Sequence, residues 1–264
     1  MSSAESFSVS QVGEIYNVGQ RIKFTASEPN AITKRFQSMT FDVRITKQIA
    51  IGPGRHSQVV IVRVVDAVSK VLDEPLVAKF YDPRFCQQVD SAEWPGGRRQ
   101  LCDVMKTNES KAYRTLEPLQ GSEIPNFLGE YTCSHPDTVA TGFDYPDAIL
   151  LELINLHTLA DIRPQDLNMT DRVTIKNRAY TILSKIHHLG VYHHDIRPAN
   201  VFWNRSNDLK LIDYGLATFK DGRTTETIEE WTMLDEGQLM SMLDDYGIEY
   251  EGPSPASWFH KSGW

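Results

Sequence analysis

The sequence predicts an α+β chain of two lobes, the first rich in strands and the second rich in helices. Two observations carry this expectation. From Phe41, three runs rich in Val and Ile follow one another: FDVRITKQIAIG, SQVVIVRVVDAV and EPLVAKFYD. They are broken by Gly-Pro-Gly and by a polar turn, as in an antiparallel meander. Past Glu152 to Asn155 the pattern changes: Ile175, Ala179, Ile182, Leu183 and Ile186 recur at helical spacing and form one apolar stripe. Strands first and helices second is the order of an α+β architecture.

The elements follow in order. Residues 1–40 are polar and mixed and read as an N-terminal extension with at most a short helix. The strand-rich lobe is expected over 41–152. After its third strand come a loop, DSAEWPGGRR, and a helix from about Leu101 to Leu119 that stops at Gly121. Two more strands follow, around NFLGEYTC and DAILLELI. The second lobe, 153–264, opens on a long helix with Thr170 as N-cap and Gly190 just past its end. A short hairpin of VFW and LKLID comes next. Ala217 to Trp231 is polar and threonine-rich and reads as a mobile loop, leaving a last helix near Gly237 to Tyr246.

Composition limits the function classes. The 264 residues are 41% hydrophobic and 23% charged with net charge -8, which disfavours a general nucleic-acid or anionic-membrane binder. Cys86, Cys102 and Cys133 form no CxxC pair, which fits a reducing compartment rather than a disulfide scaffold. The N-terminus lacks a basic region followed by an apolar run, and no stretch of about 18 apolar residues occurs. These features together suggest a cytoplasmic or nuclear protein without a membrane partner.

The chemistry is concentrated in one loop and the strand end after it. Tyr192-His193-His194-Asp195-Ile196-Arg197-Pro198-Ala199-Asn200 is followed by Leu211-Ile212-Asp213-Tyr214-Gly215. An Asp and an Asn five residues apart, then a strand-terminal Asp-aromatic-Gly, resemble the catalytic loop and metal site of protein kinases. Phosphoryl transfer requires positioning and charge neutralisation more than covalent work. Asn200 and Asp213 are hard oxygen ligands suited to magnesium. Asp195 is a carboxylate able to take the proton of an incoming hydroxyl. Arg197 stands where the family usually has Lys and would neutralise the moving phosphoryl group.

The resemblance extends upstream. Leu76-Val77-Ala78-Lys79 is similar to the third-strand motif, with Ala78 implied at the nucleotide and Lys79 on its phosphates. Met105, Glu109, Ala112 and Leu116 share a helix face, so Glu109 would be buried, and Lys79 is its natural partner. Gly52-Pro53-Gly54-Arg55-His56-Ser57-Gln58-Val59 resembles the glycine-rich loop, with Ser57 in place of the third Gly. By the same likeness Leu151 is the gatekeeper, the backbone of Glu152 and Ile154 meets adenine, and Phe202 floors the pocket. Each piece alone has a plainer explanation: a turn, a snorkelling lysine, a strand-end acid. Their shared order along one chain is what identifies the kinase-like fold, with Mg-ATP bound between the lobes. His187, His188, His193, His194 and Asp195 crowd together as in a zinc centre, but His187 and His188 also suit the last turn of a helix, where the dipole favours a cation.

Some departures are visible. His194 occupies the place of an Arg that binds a phosphorylated activation loop in regulated kinases, so control of that kind is not expected. No Ala-Pro-Glu signature follows Asp213, so the second lobe resembles the reduced one of small atypical kinases. The stretches KFYDPRF and LQGSEIPNFLGEY are similar to kinase-like proteins of fungi. The expected activity is transfer of the γ-phosphate of ATP to Ser or Thr of a protein. The alternatives are a small-molecule kinase, an ATPase, or a nucleotide-binding module without turnover.

Overall fold

The computed structural model describes residues 15–30, 38–65, 74–86, 94–134, 146–206 and 208–248. The expectations made for the extreme N-terminus and for most of DSAEW fall outside them. The chain divides into two compact units: Met1–Ser110 with Asn126–Leu153, and Lys111–Pro125 with Ile154–Trp264.

Unit 1 is a closed antiparallel barrel. Its strands are β1 (Arg21–Ala26), β2 (Thr40–Ala50), β3 (Gln58–Val64), β4 (Leu76–Tyr81), β5 (Phe127–Ser134) and β6 (Asp147–Glu152). They are ordered β1-β2-β3-β4-β6-β5, and β1 closes the ring by pairing with both β2 and β5. The expected extension over 1–40 therefore contains a strand. Its alternation, Ile22, Phe24 and Ala26 inward and Arg21, Lys23 and Thr25 outward, is a half-buried strand pattern hidden among polar neighbours.

Alternation fills the barrel. Phe24, Phe41, Val43, Ile45, Val60, Val62, Ala78, Phe80, Tyr131 and Leu150 make its core. The Phe24 ring meets Phe80 edge-on at 5.8 Å and Tyr131 at 5.4 Å. Helix α1 (Gly97–Thr115) starts four residues before the expected Leu101, and a 3-10 turn at Glu117–Leu119 completes the predicted span. Met105, Glu109, Ala112 and Leu116 are all buried, so the helical phase is as predicted.

Unit 2 is built around α2 (Met169–His188). Its N-cap is Asn168, not Thr170: the Asn168 side chain accepts from the Asp171 amide (2.8 Å), and the Asp171 carboxylate accepts from the Asn168 amide (3.1 Å). This reciprocal box satisfies two amides, which a cap at Thr170 would not. At the other end Gly190 has φ 76°, and a Cβ there would lie 2.5 Å from the Lys220 side chain. After β7 (His157–Thr158) and β8 (Val191–Tyr192), the hairpin of β9 (Val201–Trp203) and β10 (Leu209–Leu211) forms as expected. Strand β11 (Thr218–Phe219) pairs with β8.

Helix α3 (Thr225–Asp245) begins twelve residues before the expected Gly237, so residues 225–231 of the supposed mobile loop are its first turns, and Thr218–Phe219 of that loop are strand. Thr224 caps it, its hydroxyl accepting from the Thr227 amide at 3.2 Å. Polar exposed turns concealed this helix, because its buried stripe is confined to the later residues.

Cys86, Cys102 and Cys133 are buried thiols. Among the described residues no helix is long and apolar enough to cross a membrane.

Phe24→Ala tests whether β1 belongs to the barrel. Deleting a fully buried ring should cost about 3–5 kcal/mol in chemical denaturation; a change within about 0.5 kcal/mol would mean that the strand peels away freely.

Candidate active site

In unit 1, β4 carries Lys79 and α1 carries Glu109. The Lys79 ammonium donates to both carboxylate oxygens of Glu109, at 2.7 and 2.6 Å, and Tyr81 Oη donates to the same carboxylate. Glu109 is fully buried and Lys79 nearly so. A buried carboxylate persists only when its lone pairs are filled, and here three donor contacts fill them. Tyr81 lies two residues from Lys79 and so shares its face of the strand.

The same alternation corrects one assignment. Ala78 is adjacent to Lys79, faces the barrel core and has no exposed surface. Its side chain cannot share a ligand face with Lys79; Val77 occupies that face instead.

The turn between β2 and β3 is held by a residue the sequence reading passed over. Gln58 is fully buried, accepts from the Gly52 amide (2.7 Å) and donates to the Gly52 carbonyl (3.0 Å). The Gly54 amide donates to the Phe85 carbonyl at 2.8 Å. Gly52 and Gly54 have φ 137° and 79°, values that disfavour any side chain. Ser57 and Val59 flank Gln58 and are half-buried. At the far end of β6, the Glu152 amide donates to the Asn126 carbonyl (3.0 Å), and its carboxylate accepts from the Asn126 amide and side chain. A role for the Glu152 backbone therefore falls to its carbonyl.

In unit 2, the Asp195 carboxylate accepts from Asn200 Nδ2 (2.8 Å) and Arg197 Nε (3.0 Å), and Asn200 Nδ2 also reaches the Asp195 carbonyl (2.9 Å). The Asn200 carbonyl accepts from the Ile212 amide, which ties the loop to the chain just before Asp213. His193 links the same pieces. Its Nδ1 accepts from the Asp195 amide (3.2 Å), so the proton sits on Nε2, which donates to the Ile212 carbonyl (3.0 Å). His193 is fully buried, and that burial holds it below its ordinary 6.5 despite the nearby carboxylates. Among the described residues, His194 (φ 61°) and Asp213 (φ 71°) are the two non-glycines in the left-handed region. Such backbone is sparsely populated and clusters at functional sites. Phe202 on β9 and Ile154 past β6 complete the predicted set in this unit, and Phe202 is half-buried.

Asp235 and Gln238, on one face of α3, were not anticipated. Asp235 has no exposed surface, yet it accepts from His187 Nε2 (2.8 Å), the His193 amide (2.8 Å) and the His194 amide (2.7 Å). Gln238 accepts from the Ile196 amide (2.8 Å) and donates to the His194 carbonyl (3.0 Å). Burial raises the Asp235 carboxyl, but the His187 bond and the two amides outweigh it and hold Asp235 below the usual range. His187 is thus a partner of this carboxylate. Among the described residues no group of three or more His, Cys, Asp or Glu is arranged to hold a metal ion. An acid on the apolar stripe Asp235, Leu239, Met242 is the signal that could have found it, as it found Glu109.

Residues 131–233 match the protein kinase domain family. This match and the relatives below support membership of the protein-kinase-like superfamily, at low identity and over part of the chain. Its relatives include GLH-binding kinase 1 of Caenorhabditis elegans, 29% identical over 49% of this chain and 33% of that protein. Cyclin-dependent kinase 7 of Xenopus laevis is 29% identical over 40% of the chain and 29% of its own length. A probable serine/threonine-protein kinase of Corynebacterium efficiens is 27% identical over 41% and 18%. The chain spans a third or less of the length of these relatives. The match includes Asp195, Asn200 and Asp213, while Lys79, Glu109 and the glycine turn lie upstream of it.

Two outcomes follow. Glu109→Leu alone takes the carboxylate away from a buried ammonium and should cost about 3–5 kcal/mol, most of it recovered in the Lys79→Met/Glu109→Leu double variant. Additive losses in urea titrations would show the pair to be uncoupled.

The second concerns pH. His193 and His194 are both depressed by burial, so their contribution is present above 6.5 and lost as pH falls towards their folded values. Glu236 opposes them: burial and Asp235 push it up to about 7 from 4.5, so its contribution fades as pH rises through 7. In a Glu236→Gln background, melting temperature should fall between pH 7 and pH 5, with His193 contributing at most about 1.4 kcal/mol per pH unit. A flat profile there would contradict a neutral His193.

Proposed function

We propose that the chain transfers the γ-phosphate of ATP to the hydroxyl of a serine or threonine in a protein. The observation that carries the proposal is the Asp195 carboxylate, held by Asn200 and Arg197 on a loop anchored by Asp235. In this reading Asp195 takes the proton of the acceptor hydroxyl as its oxygen bonds to the γ-phosphorus. The bond from that phosphorus to the β,γ-bridging oxygen breaks, and ADP leaves with the electron pair. Arg197 offsets charge on the moving group.

The remaining residues bind and orient the nucleotide. Lys79, fixed by Glu109, pairs with its phosphates, while Gly52, Gly54, Ser57 and Val59 form the turn that covers them. Val77, the Glu152 carbonyl, Ile154 and Phe202 receive the base. The donor set at Asn200 and Asp213, an amide and a carboxylate oxygen, fits magnesium, and the left-handed backbone of Asp213 is the kind of strain a ligand site retains. Magnesium held there supplies charge neutralisation on the phosphates. The relative from Corynebacterium efficiens carries serine/threonine-protein kinase in its name, which supports the choice of acceptor.

Thermal unfolding with ATP, with and without magnesium, tests binding without an acceptor. Ligand at about 100 times its Kd should add about 2.7 kcal/mol, and Asp213→Ala should abolish the magnesium-dependent part. Asp195→Asn should keep the shift but lower phosphotransfer by about 100-fold or more. Unchanged transfer would remove Asp195 from its assigned role.

A further inference from the structure

Helix α3 holds a feature that the phosphotransfer chemistry does not use. A glycine in a helix interior costs about 1 kcal/mol relative to alanine, yet Gly237 sits midway along α3 and is exposed. Among the described residues nothing lies within 4 Å of a Cβ built there. Packing among the described residues therefore gives no reason for the missing side chain. Close approach of another chain would give one.

Gly237 lines an open groove of about 440 Å³. One wall is the catalytic loop at Ile196, Arg197 and Pro198; the other is α3 at Met233, Leu234 and Met242. Met233 and Leu234 are consecutive and 65% and 48% exposed, an apolar edge that water does not favour. The charge is one-sided as well. Helix α3 exposes Glu226, Glu229, Glu230, Asp244 and Asp245 and carries no Lys or Arg. Asp245 lines the groove and is exposed. Arg197, the cation on the wall, is paired with Asp195.

We propose that this groove docks the acceptor: a basic peptide segment whose apolar side chain, next to the phosphoacceptor hydroxyl, lies over Gly237 between Met233, Leu234 and Ile196. Basic residues of the segment face Asp245 and the acidic field of α3. Arg197 and Pro198 follow Asp195 within three residues, so a chain in the groove passes the carboxylate that receives the hydroxyl proton. The inference rests on the phosphotransfer reading, and it adds the class of acceptor.

Binding can be measured apart from turnover. Fluorescence anisotropy with the full chain and no nucleotide would use three labelled peptides: an arginine-rich one with leucine beside its serine, the same peptide with that leucine changed to aspartate, and an acidic counterpart. The first should bind at least ten-fold tighter than either of the others. Gly237→Met fills the groove and should lower that affinity at least ten-fold without lowering the melting temperature. Leu234→Ser should weaken it in the same direction, and serves if Gly237→Met fails to fold. Equal affinity for all three peptides, no binding, or full affinity in both folded variants overturns the groove. So does a dimer in light scattering that Gly237→Met disperses, which would assign the face to a second copy. Transfer to the bound peptide is then assayed separately. Binding without transfer keeps the groove and defeats the phosphotransfer reading; transfer with kinetics untouched by either folded variant does the reverse.

Discussion

The loop of unit 2 that carries Asp195 depends on one buried carboxylate. Asp235 is withdrawn from water, and a carboxylate in that position is tolerable only if donors surround it. Two consecutive amides, those of His193 and His194, converge on it together with His187. Consecutive amides point into one concavity when right- and left-handed backbone alternate, and His194 is left-handed at φ 61°. The backbone strain at His194 and the burial of Asp235 are therefore two sides of one arrangement. Gln238, one turn further along α3, takes the next two loop groups. The loop that presents Asp195 is fixed from below by a helix rather than by its own sequence.

Unit 1 uses an analogous device with opposite charge order. Lys79 is brought inward by a strand, and Glu109 by a helix whose other inward residues are apolar. Neither charge could stay there alone, and Tyr81 fills the remaining acceptor capacity. Strand alternation then determines the neighbours. Val77 and Tyr81 share the Lys79 face, while Ala78 and Phe80 belong to the barrel core. A sequence motif read as four adjacent letters obscures this, because adjacent letters on a strand face opposite ways.

What was legible in the sequence was local or periodic. The stripe on α2 and the phase of α1 could be read from spacing, and the buried partnership of Lys79 with Glu109 followed from that phase. Asp195, Asn200 and Asp213 were singled out by a resemblance instead. What escaped depended on partners distant in the chain. Strand β1 is six residues long and is defined by pairing with β2 and β5, not by its own composition. Gln58 looks like an ordinary polar strand residue until its amide is seen spanning the Gly52 peptide. Helix α3 was cut short because its first half has few apolar positions to report a period. Asp235 and Gln238 act through backbone groups some forty residues away, and no local pattern encodes such bonds.

The held position of Asp195 bears on the choice between a nucleotide-binding module and a transferase. A module needs donors for phosphates and ligands for a metal; it has no use for a separate carboxylate kept at a fixed place. Here that carboxylate is engaged by Asn200 and Arg197, and its side chain remains 28% exposed. Holding it requires left-handed backbone at His194, which costs about 1–2 kcal/mol for a residue with a Cβ. It also requires a buried acid under the loop, whose desolvation must be offset bond by bond. Stability alone would favour an apolar residue at Asp235 and a relaxed turn at His194. That the fold sustains both costs around one accessible carboxylate favours chemistry at Asp195 over binding alone.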